Sequence, residues 1–93
     1  MSNFSEETIF DFCPVASFQP VGDGAVILLA DSGQIYSCNE TTESFLRKVD
    51  GVQNLGAIVA ALAVEYEVDG ETLTADMAEL AQELIDEGII KNL

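Results

Sequence analysis

The hydrophobic pattern of this chain changes period at Asn39. Before it, the run AVILLA at residues 25–30 is continuous and of strand length. After it, apolar residues recur at intervals of three and four. Thr42, Phe45, Leu46 and Val49 form one stripe, Leu55, Ile58, Val59, Leu62 and Tyr66 a second, and Leu73, Met77, Leu80, Leu84 and Ile85 a third. Side chains repeat their direction about every 2 residues in a strand and about every 3.6 in a helix. The two halves therefore cannot be one kind of element. Short helices cannot each bury a stripe alone, so they must pack on one another and on the strands. The expected fold is α+β: a small three-stranded antiparallel sheet followed by a three-helix, winged-helix-like bundle.

Turn chemistry supplies the boundaries. Pro14 and Pro20 bracket VASFQ, which suits an edge strand because proline there costs no central ladder bond. The loop VGDG leads into AVILLA, whose uniform apolarity fits a strand that is central or covered on both sides. Asp31-Ser32-Gly33 is a hairpin connection, with Gly33 free to take positive φ, and Gln34–Cys38 returns as the third strand. Asn39 is a strong N-cap, followed by Glu40 and Glu43 where the helix dipole favours acidic groups. Gly51 is placed to cap that helix at its carboxyl end. The second helix opens at Asn54, and the third runs from near Asp69 to Gly88. Residues 1–14 carry Phe4, Ile9, Phe10 and Phe12 without a clean period and are expected as an amino-terminal arm. Residues 15–93 form the domain.

Charge excludes whole classes of function. Seventeen acidic side chains stand against three basic ones, with no histidine, for a net charge of −14. Phosphate neutralisation needs several Lys or Arg on one face, and only Arg47, Lys48 and Lys91 exist, so no nucleic-acid partner is expected. The same sign argues against anionic membranes. No apolar run approaches the roughly 18–20 residues of a bilayer span, and MSNFSEETIF shows no signal-like pattern. The expected compartment is the cytoplasm.

The parts for chemistry are also missing. No Ser, Thr or Cys has a recognisable activating base, so no catalytic residue is assigned. Cys13 and Cys38 cannot make a four-ligand zinc site alone, and Cys38 suits a small core position. Glu65, Glu67, Asp69, Gly70 and Asp76 fall in an EF-hand-like frame, but the frame lacks its first Asp and its bidentate Glu. No metal or cofactor is expected. Asp31-Ser32 matches the dipeptide that carries the arm of acyl carrier proteins, yet it lies between strands rather than at a helix start.

The whole order nevertheless resembles a known family. GDGAVILLADSGQIYSCNETTESFLRKVDG followed by IVAALAVEYEVDGETLTADMAELAQELIDEGII is similar to the PqqD family of pyrroloquinoline quinone synthesis proteins and to the related RiPP recognition elements. The matching features run from Gly33 through Asn39, Thr41, Thr42, Asp50-Gly51, Ile58, Leu62 and Tyr66 to Asp76, Leu80, Leu84 and Gly88. The resemblance implies a non-catalytic domain. It would bind the leader of a ribosomally made precursor peptide and present it to a modifying enzyme of the radical S-adenosylmethionine type. The leader would add as a strand to Gln34, Ile35, Tyr36, Ser37 and Cys38, beside Asp76, Met77, Leu80 and Leu84 of the third helix. The segment Gln34–Cys38 suits such a role, because it holds no Lys, Pro or inward charge to blunt its edge. An adaptor using the same edge without a precursor peptide, and a carrier modified on Ser32, are the competing readings.

Overall fold

The computed structural model describes residues 4–22 and 24–93. Its elements run β1 (Phe10–Phe12), β2 (Ala16–Val21), β3 (Gly24–Leu29), β4 (Ile35–Cys38), α1 (Glu40–Leu46), α2 (Leu55–Tyr66), α3 (Gly70–Asp86) and β5 (Ile90–Asn92). The α+β architecture is the expected one, with the antiparallel order β2-β3-β4 and three helices after it. Residues 1–3 of the arm and Asp23 of the VGDG loop lie outside the described residues.

β3 is central in its sheet, yet it is covered on one face only. Ala25, Ile27 and Leu29 are buried, whereas Leu28 on the other face is 36% exposed. A continuous apolar run therefore does not imply two covered faces; Leu28 stands opposite Ile35 on an open surface. β2 runs on through Pro20 to Val21. The proline is tolerated because Ala30 N–H bonds Val15 O (2.8 Å), which phases the ladder so that residue 20 turns its backbone outward.

The three expected N-caps are in place. Asn39 accepts from Thr42 N–H, Asn54 from Ala57 N–H and Asp69 from Thr72 N–H. The first helix is shorter than its stripe suggests. It ends at Leu46 with Arg47 as cap, so Gly51 (φ 77°) turns the following loop and does not cap the helix. Lys48 and Val49 N–H reach back three residues, to Phe45 O and Leu46 O, tightening the last turn. Asp50 Oδ1 then accepts from Val52 and Gln53 N–H (2.9 and 2.8 Å), and these bonds hold its carboxyl below the ordinary range. α3 closes as a Schellman motif: Gly88 N–H bonds Ile85 O and Ile89 N–H bonds Leu84 O, with Gly88 at φ 80°. No described helix is long and apolar enough to cross a membrane.

Two elements carried no periodic signal. β1 lies in the segment read as an arm, and it pairs antiparallel with β5 at the other end of the chain. Phe10 is fully buried, packed edge-on to Phe4 at 5.2 Å and tilted against Phe45 at 6.1 Å. The segment also caps the start of α2. Thr8 O and Glu6 O accept from Leu55 and Gly56 N–H (both 2.8 Å), two of the donors that a helix start leaves orphaned. Glu6 comes so close that a Cβ on Gly56 would stand 3.2 Å from its Cβ. The joint core is built from Phe10, Ile27, Phe45, Leu46, Leu55, Ile58, Leu62, Ile89 and Ile90.

Two stability changes follow. Phe10→Ala should cost about 3–5 kcal/mol in urea unfolding, as expected for a core aromatic; a shift below about 0.5 kcal/mol would mean that the segment merely leans on the domain. Glu67 caps α2 in the left-handed region at φ 55°. Glu67→Gly should therefore stabilise by about 0.5–1 kcal/mol, the relief of strain outweighing glycine's chain entropy.

Candidate functional site

The phase of the β3–β4 ladder determines what the sheet leaves open. Leu29 N–H bonds Gln34 O (2.9 Å), so Gln34 faces β3 with its backbone, as do Tyr36 and Cys38 at successive alternate positions. Ile35 and Ser37 then turn their N–H and C=O groups away from the sheet. Among the described residues this border has no further strand beside it. The opposite border differs. On β2 the outward residues are Ala16, Phe18 and Pro20; Ala16 N–H is taken by Cys13 O (2.9 Å), and Pro20 has no N–H. One border is blunted and the other is open.

Side chains on β4 alternate accordingly. Tyr36 and Cys38 point inward and pack against the core, while Ile35 and Ser37 point to the outer face, where Ile35 is 68% exposed. Between the inward face of β4 and α3 lies a groove of about 440 Å³. Tyr36, Ser37, Cys38 and Thr42 form one wall, Leu80, Glu83, Leu84 and Glu87 the other, and Ile27 and Ile89 the remainder. Those four α3 residues share one helix face at spacings of three and four.

The residues singled out from sequence do not all meet. Tyr36, Ser37, Cys38, Leu80 and Leu84 line this groove. Asp76 and Met77 line a second depression of about 410 Å³ further along α3, with Thr41, Tyr66, Val68, Thr72 and Leu73. Met77 and Leu84 are themselves core residues, only 3% and 6% exposed. Gln34 and Ile35 line neither space. Thr42, Glu83, Glu87 and Ile89 also line the groove and are not among the binding residues expected from sequence. Glu83 and Glu87 continue the Leu80–Leu84 face, so helical spacing alone contained them; acidic residues on a helix read as a solvated surface. Ser32 sits in the β3–β4 turn, with its hydroxyl 3.4 Å from Gln34 Oε1, and not at a helix start.

A polar contact crosses one end of the groove. The Tyr36 hydroxyl donates to Glu87 Oε2 at 2.6 Å and lies 3.0 Å from Gln34 Oε1. The bond to Glu87 raises the Tyr36 pKa above its ordinary value, with burial and the carboxylate's charge adding to it. Cys38 is also raised, by burial first and then by Glu43, so its thiolate is disfavoured.

An α+β module with one blunted border, one open border and a groove beneath the open one is the class that these observations define. The chain belongs to the PqqD family: the model for coenzyme PQQ synthesis protein D matches residues 24–90. No curated protein matches it by sequence. Among solved structures it is similar to a lasso peptide synthetase B1 complexed with the leader peptide, at 24% identity and a TM-score of 0.80, covering 94% of this chain and 99% of that one. It is also similar to TbiB1 in complex with the TbiA(β) leader peptide, at 19% identity and a TM-score of 0.78, covering 85% and 93%. At these identities the likeness is one of fold.

The Tyr36–Glu87 bond has a titration signature. In a Tyr66→Phe background, which leaves Tyr36 as the only tyrosine, phenolate absorbance should rise at a pH above the ordinary tyrosine midpoint. Glu87→Gln should bring that midpoint down. The raised value means that the phenol's contribution to stability is present below the unfolded-state pKa and is lost as pH climbs through the folded one. An unchanged midpoint in Glu87→Gln would show that the bond does not form in solution.

Proposed function

We propose that this chain is a non-catalytic peptide-binding module. It takes the leader of a ribosomally made precursor as an added strand on β4 and presents it to a modifying enzyme. The observation that carries this reading is the open border of β4 above an apolar groove. Membership of the PqqD family supports it, as do the two similar folds that hold leader peptides.

The physics is that of β-augmentation. An antiparallel guest strand pairs its main chain with the outward groups of Ile35 and Ser37, at about 0.5–1.5 kcal/mol net for each bond. Every second guest side chain then descends toward Tyr36, Cys38, Leu80 and Leu84, where apolar burial adds about 25 cal/mol per Å². Ordering a free peptide offsets much of this gain, so affinity on the micromolar scale is expected. Gln34 orients Tyr36 at the groove mouth, and Asp76 and Met77 meet guest residues beyond the strand. The modifying enzyme is of the radical S-adenosylmethionine type in this reading, and the cytoplasm is where precursor and enzyme meet.

Isotope-labelled protein titrated with leader peptides encoded beside its gene should show amide shifts at Ile35 and Ser37 before those at Ala16 and Phe18. Ser37→Pro removes an outward N–H and leaves the β3 ladder intact, so it should weaken binding at least tenfold with the circular dichroism spectrum retained. Full affinity in Ser37→Pro would sink strand addition. An adaptor without a peptide substrate would bind its partner protein and none of the leaders.

A further inference from the structure

The groove differs in character along its length, and its ends can be ordered against the chain. At the Tyr36 end the neighbour on α3 is Glu87, 2.6 Å from the hydroxyl. Just beyond β4, Thr41 shares the second depression with Asp76 and Met77 near the start of α3. β4 and α3 therefore run in opposite directions along the groove. Leu80, with Thr42, therefore lies toward its Cys38 end and the Glu87 carboxylate at its Tyr36 end, with Glu83 and Leu84 between them.

Those carboxylates have no cation in the groove lining among the described residues. Arg47 and Lys48 are already engaged, with Glu43 at 2.7 Å and Glu65 at 3.1 Å. The bond from Tyr36 gives Glu87 one neutral donor and leaves its charge uncompensated. A guest strand covering this end removes water from the two acids and so strengthens any charge it brings to them.

Register turns this polarity into a sequence rule. Residues directly opposite one another in an antiparallel pair share a face. The guest residue opposite Cys38 and the one opposite Tyr36 therefore both enter the groove, two positions apart, and the Cys38 partner comes first in the guest. The residue between them pairs with Ser37 and faces outward. We propose that the groove selects a leader segment of the form apolar-x-basic, read from its amino to its carboxyl end. The apolar side chain lies against Leu80 and Leu84, and the Lys or Arg lies against Glu83 and Glu87. This rests on the reading of β4 as a leader-binding border and specifies what that border accepts.

The test uses the full chain and four synthetic decapeptides titrated by fluorescence anisotropy, with amide shifts recorded in parallel. One peptide carries Leu-x-Lys. In the second, lysine is moved one place along, which preserves net charge. The third carries Lys-x-Leu, and the fourth has norleucine in place of lysine. Leu-x-Lys should bind about twofold to fivefold more tightly than the other three, the scale of a partly exposed ion pair at its upper end. The preference should vanish in a Glu83→Gln/Glu87→Gln double variant, both of whose sites are exposed, and shrink at high salt. Equal affinity for the moved-lysine or reversed peptide, with shifts at Ile35 and Ser37 intact, overturns the selectivity and leaves the leader-binding reading standing. No shift at Ile35 or Ser37 with any of the four overturns both.

Discussion

The turn at Gly88 is the constraint on which the site depends. It stops α3 and sends the chain straight into Ile89 and Ile90, both buried. Ile90 then begins the strand that pairs with Phe10–Phe12, so the end of α3 is tied to the core through β1 as well as through its own buried face. Ile89 also lines the groove, and Glu87, one residue before the turn, receives the Tyr36 bond. The distance between α3 and β4 is thus set from the carboxyl end of the helix. A helix continuing past residue 88 would carry Ile89 out of the core and leave the groove without that part of its lining.

Most of the architecture was legible because it rests on local chemistry. The caps at Asn39, Asn54 and Asp69, the hairpin at Gly33 and the Gly88 closure each follow from one or two residues acting on their neighbours. What escaped was non-local. β1 and β5 are three residues each, too short to show a period, and each exists only because the other end of the chain lies beside it. The tie between the amino-terminal segment and α2 is made by the backbone carbonyls of Glu6 and Thr8, which every residue possesses. The faint signal was Gly56, a poor helix former at the start of an otherwise apolar helix. α1 misled for a different reason: Val49 is buried at helical spacing from Phe45, but it is reached by a tightened turn and not by another turn of helix.

The site was legible in part for the same reason. Tyr36, Ser37 and Cys38 lie on the border strand, and Leu80 and Leu84 lie on the helix face opposite; strand alternation turns Tyr36 and Cys38 inward and helical spacing aligns Leu80 with Leu84, whereas Ser37 lines the groove although its side chain faces outward. Asp76 and Met77 share that helix but lie about one to two turns further from its end, beside a different depression. Sequence spacing says which residues share a face. It does not say how far along that face the neighbouring strand extends, and β4 is only four residues long.

The two borders of the sheet show how a chain with an open edge avoids pairing indiscriminately. A proline blunts an edge only when its missing N–H points outward, and the β2–β3 register places Pro20 in that phase. One residue earlier or later, it would delete a ladder bond and leave the border open. Phe18, the remaining outward donor on β2, has its ring against Phe12 at 6.1 Å and under the Arg47 guanidinium at 5.9 Å, which crowds the approach from the core side. β4 has none of these protections. What limits it is length and charge: two outward residues offer four main-chain groups, too few to hold a strand by backbone alone. Another copy of this chain would arrive with the same net charge of −14 and repel the carboxylates at the groove's end. A border so short must draw its selectivity from side chains entering the groove, and its freedom from self-pairing from the acids that surround it.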